Sequence, residues 1–116
     1  MDSILITGAS RGIGKEIALL AARSGKYDRI IINCFSRKDL LKETSESIKN
    51  ACDADIIISS GDIGDYNYIR SLYETAGGVD VIVNNAGVSY IGLLCDMSPD
   101  EWNRILNTNI TGLYNV

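Results

Sequence analysis

The chain has 116 residues, which bounds it to at most one domain with a modest core, and nothing in it is repeated or low in complexity. A formal charge of −4 without a clustered Lys/Arg face argues against nucleic acid and anionic membrane as partners, and no apolar run approaches a membrane span. With no His and no CxxC pair among Cys34, Cys52 and Cys95, a zinc site is unfavoured and three free thiols in a reducing cytoplasm are expected. Met1-Asp2-Ser3 has no basic flank of a signal peptide, which agrees with a cytoplasmic location.

The first strand is expected at Ile4–Thr7, and it runs straight into Thr7-Gly8-Ala9-Ser10-Arg11-Gly12-Ile13-Gly14. A helix is expected from Gly12 to Ser24, with Gly25 as its stop. Strand, glycine-rich turn and helix in that order make a phosphate cradle, because glycines let the backbone approach an anion and free helix N–H groups then hold it. A P-loop does not fit the same residues. The register that uses Gly14-Lys15 puts Ala9 where a Gly is needed and Glu16 where a metal-binding hydroxyl is needed, and that carboxylate would repel phosphate.

Further strands are expected at Arg29–Cys34, Ile56–Ser60 and Val79–Asn84, all continuously apolar as in a parallel sheet covered on both faces. Between them, a helix over Lys38–Asn50 spaces Leu41, Thr44 and Ile48 on one face, and another starts near Asp65 and ends at Gly77-Gly78. Ser98-Pro99-Asp100-Glu101 reads as a capping box opening a fourth helix, along which Trp102, Ile105, Leu106, Asn109 and Leu113 are expected to bury a face. The order βαβαβαβα implies a doubly wound Rossmann-type α/β sheet with helices on both faces, stopping after the fourth βα unit. Its ligand is expected beyond the carboxyl ends of the strands.

Those ends carry the chemistry. After the second strand, an acidic residue would accept from the ribose of NAD, yet the window offers Ser36, Arg37 and Lys38 and no acid before Asp39. Hydroxyl and guanidinium, with Arg11 in the glycine turn, suit a 2′-phosphate. After the third strand, Asp65 reads as a helix cap, while Asp62 could accept from an adenine amino group. After the fourth, Asn84-Asn85-Ala86-Gly87 suits close backbone approach and cross-strand bracing.

Thr7-Gly8-x-x-x-Gly12-x-Gly14, Asp62, Asn84-Asn85-Ala86-Gly87 and Asn109, in this order and spacing, resemble the short-chain dehydrogenase/reductase family over the whole chain. Asn84 to Ser89, and Trp102-Asn103-Arg104 through Asn107-Thr108-Asn109, are most similar to bacterial 3-oxoacyl-(acyl-carrier-protein) reductases. The resemblance implies that residues 1–116 are the dinucleotide-binding N-terminal part of a single Rossmann-type domain. It also implies a cofactor site in which Gly8, Ser10, Arg11, Gly12, Ile13 and Gly14 line the pyrophosphate and adenosine side. Ser36 and Arg37 would lie near the 2′-phosphate, Asp62 and Ile63 near adenine, and Asn85, Ala86 and Gly87 near the nicotinamide-side ribose. NADP(H) is expected in preference to NAD(H). Asn109 would be the catalytic-tetrad Asn, held in a kinked helix. The implied partners are an acyl-carrier-protein thioester or another small carbonyl substrate, and further copies of the chain.

The sequence departs from the family in one respect that matters. The family's proton donor is a Tyr four residues before a Lys, and none of Tyr27, Tyr66, Tyr68, Tyr73 and Tyr90 is followed by Lys at that distance, while Tyr114 lies too near the last residue. The chain is therefore expected to be inactive alone, as the cofactor half of a parent reductase. A non-catalytic nucleotide-binding or interaction module stays open as an alternative; a flavodoxin-like domain would not explain the glycine turn or Asn84-Asn85-Ala86-Gly87. Asn109-Ile110-Thr111 fits a glycosylation sequon, but no secretory signal accompanies it and a buried helix face is expected there.

Overall fold

The computed structural model describes residues 2–116. Strands β1 (Ser3–Ile6), β2 (Arg29–Cys34), β3 (Asp55–Ser60) and β4 (Val81–Val83) alternate with helices α1 (Gly12–Ser24), α2 (Lys38–Lys49) and α3 (Tyr66–Ala76). After β4 come a short 3₁₀ turn at Leu94–Asp96, helix α4 (Pro99–Leu106), a π-helical segment Asn107–Thr111 and a last turn α5 (Gly112–Asn115). The sheet is parallel throughout, in the order β3-β2-β1-β4.

The sheet's register sorts the apolar residues into two layers. Ile4 and Ile6 of β1 align with Ile30 and Ile32 of β2, and together they pack on Ala18, Ala21 and Ala22 of α1 and Leu41 and Ile48 of α2. Leu5 and Ile31 point the other way, onto Ile63 and onto Ile69, Leu72 and Ala76 of α3. Because successive strand side chains alternate between faces, a continuous Ile-Ile-Ile run is what a strand with helices on both sides requires. Each fully buried Ile or Leu among these contributes about 1.5–3 kcal/mol. The sheet is doubly wound, as expected.

The helix ends follow local chemistry. Asp65 Oδ1 accepts from the N–H groups of Asn67 (3.0 Å) and Tyr68 (3.3 Å), capping α3. Gly25 and Gly77 close α1 and α3 in the left-handed conformation, with φ of 65° and 72°.

Three expectations need correction. β4 is three residues long, not Val79–Asn84, because the Asp80 carboxylate turns to accept from Ser3 N–H and Oγ, both at 2.8 Å, and Asn85 N–H already turns back to Val83 O. The capping box is half made: Ser98 Oγ accepts from Glu101 N–H, but the Glu101 carboxylate pairs with Arg104 at 3.1 Å instead of reaching back. Beyond it, the helix does not bury a face along its length. It breaks into the π segment at Asn107, and Trp102, Leu106 and Leu113 are exposed, because no further strand or helix covers that side among the described residues.

Candidate functional site

The glycine turn after β1 is held in shape from three directions. From β2, the buried Asn33 accepts from Gly8 N–H through Oδ1 (3.4 Å) and from Ala9 N–H through its backbone O (2.8 Å). From α2, buried Thr44 donates its hydroxyl to Ala9 O at 3.0 Å. From the loop after β4, Asn85 Nδ2 donates to the carbonyls of Thr7 and Gly8, both at 3.1 Å, while Thr7 Oγ1 accepts from the N–H groups of Asn85 and Ala86. A turn so braced is preorganised.

The glycines of the motif do different work. Gly8 and Gly12 have φ of 66° and 60°, a conformation that L side chains rarely adopt. A Cβ on Gly12 would meet open space, whereas one on Gly14 would lie 2.3 Å from Gly8 O and 2.5 Å from Asn85 Nδ2. Gly14 therefore serves the packing of α1 against the turn and the β4 loop. The close approach it permits is within the protein. At the start of α1, Arg11 is extended and no side chain among the described residues caps the helix, so its leading N–H groups and positive dipole end are left for an anion.

A cleft of ≈ 410 Å³ opens along the carboxyl ends of the strands. Gly8, Ser10 and Arg11 line it from the turn, Ser36 and Arg37 from the end of β2, Asp62 and Ile63 from the end of β3, and Asn85, Ala86 and Gly87 from the end of β4. Ten of the fourteen residues singled out in the sequence thus line one cleft. Gly12, Ile13 and Gly14 stand outside it, the first two exposed and the third buried beneath the turn. Asn109 lines an adjoining cavity, which shares Ile63, Ala86, Gly87 and Val88 with the cleft.

Two of the charges after β2, Arg37 and Asp39, are already paired. The Arg37 guanidinium forks onto Asp39, with Nε donating to Oδ1 at 3.2 Å and Nη2 to Oδ2 at 3.1 Å. That bond holds the Asp39 carboxyl below its usual range and raises Arg37. Both side chains are largely in water, so the pair is weak and an incoming dianion can compete for the guanidinium. Behind them, burial pushes the Cys34 thiol up, which makes it a packed residue without thiolate reactivity.

Asp62 and Asn109 both have partners that the sequence did not reveal. Asp62 Oδ1 accepts from Gly64 N–H (2.8 Å), and both carboxylate oxygens accept from Asn107 Nδ2, at 3.3 and 3.1 Å. Asn109 pairs with the backbone of Val88 as a strand neighbour would, Nδ2 donating to Val88 O and Oδ1 accepting from Val88 N–H, each at 2.8 Å. The π-helical turn is what aims these side chains, since its wider winding shifts them from the α-helical positions. The amide of Asn109 is thus committed to bracing the loop after β4.

Four residues that shape the site were assigned no part in it from the sequence: Thr7, whose hydroxyl ties β4's loop to β1, and Asn33, Thr44 and Asn107. Asn33 carried the clearest signal, a polar residue closing a strand of isoleucines, which burial obliges to find partners; its Nδ2 donates to Tyr68 Oη at 3.0 Å.

Comparison with known proteins agrees with this geometry. The chain is 35% identical, over 97% of its residues, to a 3-oxoacyl-(acyl-carrier-protein) reductase of Staphylococcus aureus, and covers 46% of that protein. A reductase of the same name from Staphylococcus epidermidis is 38% identical over 97% of the chain, with 47% of its own length covered. Among solved structures, an alcohol dehydrogenase of Thermococcus sibiricus complexed with 5-hydroxy-NADP superposes with a TM-score of 0.85 at 28% identity, over 99% of this chain and 49% of that one. A short-chain type dehydrogenase/reductase of Mycobacterium marinum gives 0.87 at 30% identity, over 98% of this chain and 46% of that one. The chain spans about half the length of the relatives it matches. The family model for short chain dehydrogenase matches residues 2–116. This chain belongs to the short-chain dehydrogenase family.

Proposed function

We propose that the cleft binds NADP(H), and that the chain is the cofactor-binding portion of a reductase that converts a carbonyl to an alcohol, with 3-oxoacyl-(acyl-carrier-protein) thioesters as its substrates. The observation that carries this reading is the uncapped start of α1 beneath a braced glycine turn, with Arg11, Ser36 and Arg37 on the adjoining wall and no carboxylate there free of a partner. Gly8, Ser10 and the first turn of α1 would hold the pyrophosphate, Ser36 and Arg37 the 2′-phosphate, Asp62 and Ile63 the adenine, and Asn85, Ala86 and Gly87 the ribose beside the nicotinamide. Bound there, the nicotinamide supplies a hydride acceptor or donor. The protein's own share is to neutralise the phosphates and to fix the loop after β4 through Thr7 and Asn109.

The experiment is calorimetric titration with NADP⁺ and NAD⁺. NADP⁺ should bind more tightly, and Arg37→Asp should weaken NADP⁺ by about 1–3 kcal/mol, the worth of a charge-assisted hydrogen bond, while sparing NAD⁺. Equal loss for both, or a preference for NAD⁺ in the unsubstituted chain, contradicts the choice of cofactor.

A second reading is a nucleotide-binding module without catalysis: none of Tyr27, Tyr66, Tyr68, Tyr73 and Tyr90 precedes a lysine by four residues, and the position four after Tyr114 lies outside the given sequence. Coding sequence continuing in frame with Ser and Tyr-x-x-x-Lys would decide for the reductase.

A further inference from the structure

We propose that Asn107 is a positioning residue for Asp62: from the π-helical segment it holds the carboxylate at the angle the cleft wall requires, without itself reaching the ligand. Asp62 lines the cleft and Asn107 does not. Asp62 enters no ion pair among the described residues, and Asn107 is its only side-chain partner there, one amide reaching both carboxylate oxygens at 3.3 and 3.1 Å. Gly64 N–H, two residues on, fixes the same Oδ1 from the backbone at 2.8 Å. With Oδ1 shared between Gly64 and Asn107, Oδ2 accepts only from Asn107 and keeps a lone pair for a donor in the cleft.

A separate observation shows that the chain makes room for this amide. A Cβ on Gly64 would fall 2.1–2.3 Å from the amide atoms of Asn107, so any side chain at 64 would displace it. Two residues along the π segment, Asn109 holds the backbone of Val88 after β4. One short segment therefore fastens the loop after β3 with one amide and the loop after β4 with another, and sets the two walls of the cleft against each other.

This inference rests on the cleft being a nucleotide site, with Asp62 on its adenine side. The test is calorimetric titration of the purified chain with 2′,5′-ADP, a probe of the adenosine half, with circular dichroism to verify folding of each variant. Asn107→Ala should weaken the probe about 10-fold in the unsubstituted background and less than about 2-fold in an Asp62→Ala background, since a residue that acts through Asp62 has nothing to position once it is gone. Asn107→Asp, which sets two carboxylates face to face, should cost more than Asn107→Ala. Gly64→Ala is the second variant. It leaves Asn107 in the chain but drives its amide away, and the same 10-fold loss is expected. Equal losses in both backgrounds would assign Asn107 a merely structural part and overturn the proposal, as would unchanged binding in Asn107→Ala. Failure of the unsubstituted chain to bind both 2′,5′-ADP and NADP⁺ would remove the nucleotide reading and this proposal together.

Discussion

Replacing Gly14 by alanine tests whether the glycine turn is a packed joint. In the middle of a helix, Gly→Ala ordinarily stabilises by about 1 kcal/mol, because alanine loses less backbone freedom on folding. Here the new Cβ would lie 2.3 Å from Gly8 O, 2.9 Å from Gly8 C and 2.5 Å from Asn85 Nδ2, and two of these three atoms are backbone. Neither helix nor turn can yield alone, since Asn33, Thr44 and Asn85 all fasten the turn. Overpacking costs about 1–3 kcal/mol, and expulsion of the Asn85 amide forfeits two hydrogen bonds of roughly 0.5–1.5 kcal/mol each. Set against the helix gain, the net loss is about 1–5 kcal/mol, which in a domain of this size lowers the melting temperature by about 4–20 °C. Gly12→Ala is the control, with open space for its Cβ and only a left-handed φ of 60° to pay, about 1–2 kcal/mol. Thermal melts followed by circular dichroism should rank the unsubstituted chain above Gly12→Ala and Gly12→Ala above Gly14→Ala. A Gly14→Ala variant that melts with the unsubstituted chain, or above Gly12→Ala, would refute the joint.

Asp80 should make stability fall in acid: its carboxyl, held low by two hydrogen bonds from Ser3, contributes fully above its unfolded value near 3.9 and loses that contribution as pH drops through the lower folded value. Melting temperatures between pH 2 and 6 should therefore depend less on pH in Asp80→Asn than in the unsubstituted chain, and parallel curves would count against it. The purified chain should reduce no acetoacetyl thioester with NADPH above a protein-free blank, general acid catalysis being worth about 10²- to 10⁴-fold; turnover that survives repurification would contradict this. The outer edge of β4 and the exposed Trp102, Leu106, Ile110 and Leu113 should drive copies together, and a compact monomer in sedimentation at micromolar concentration would show the edge to be harmless.

Most of the sheet was legible because its signals are local. The isoleucine runs, the left-handed Gly25 and Gly77, and Asp65 ahead of its helix each state their structure within a few residues. β4 was overread because Val79 and Asp80 look like strand, while the tie from Asp80 to Ser3 joins residues far apart in the chain. The resemblance implies a kinked helix at Asn109, but local spacing does not place the break. Helical spacing continues through Trp102, Ile105 and Leu113, and only the partners of Asn107 and Asn109, at Asp62 and Val88, account for the wider turn. The candidate site was legible as a list of residues but not as a network. The cross-strand bracing expected of the loop after β4 is made by Asn85 on the turn, whereas nothing in the spacing shows that Asp39 holds Arg37.

The central claim, that a nicotinamide dinucleotide lies along the carboxyl ends of these four strands, is tested most directly by mapping amide chemical shifts of the isotope-labelled chain during titration with NADP⁺. The perturbed amides should be those of Gly8 to Gly14, Ser36 and Arg37, Asp62 and Ile63, and Asn85 to Val88, with the outer face of α3 unmoved. Shifts that cluster elsewhere, or none at millimolar NADP⁺, would contradict it.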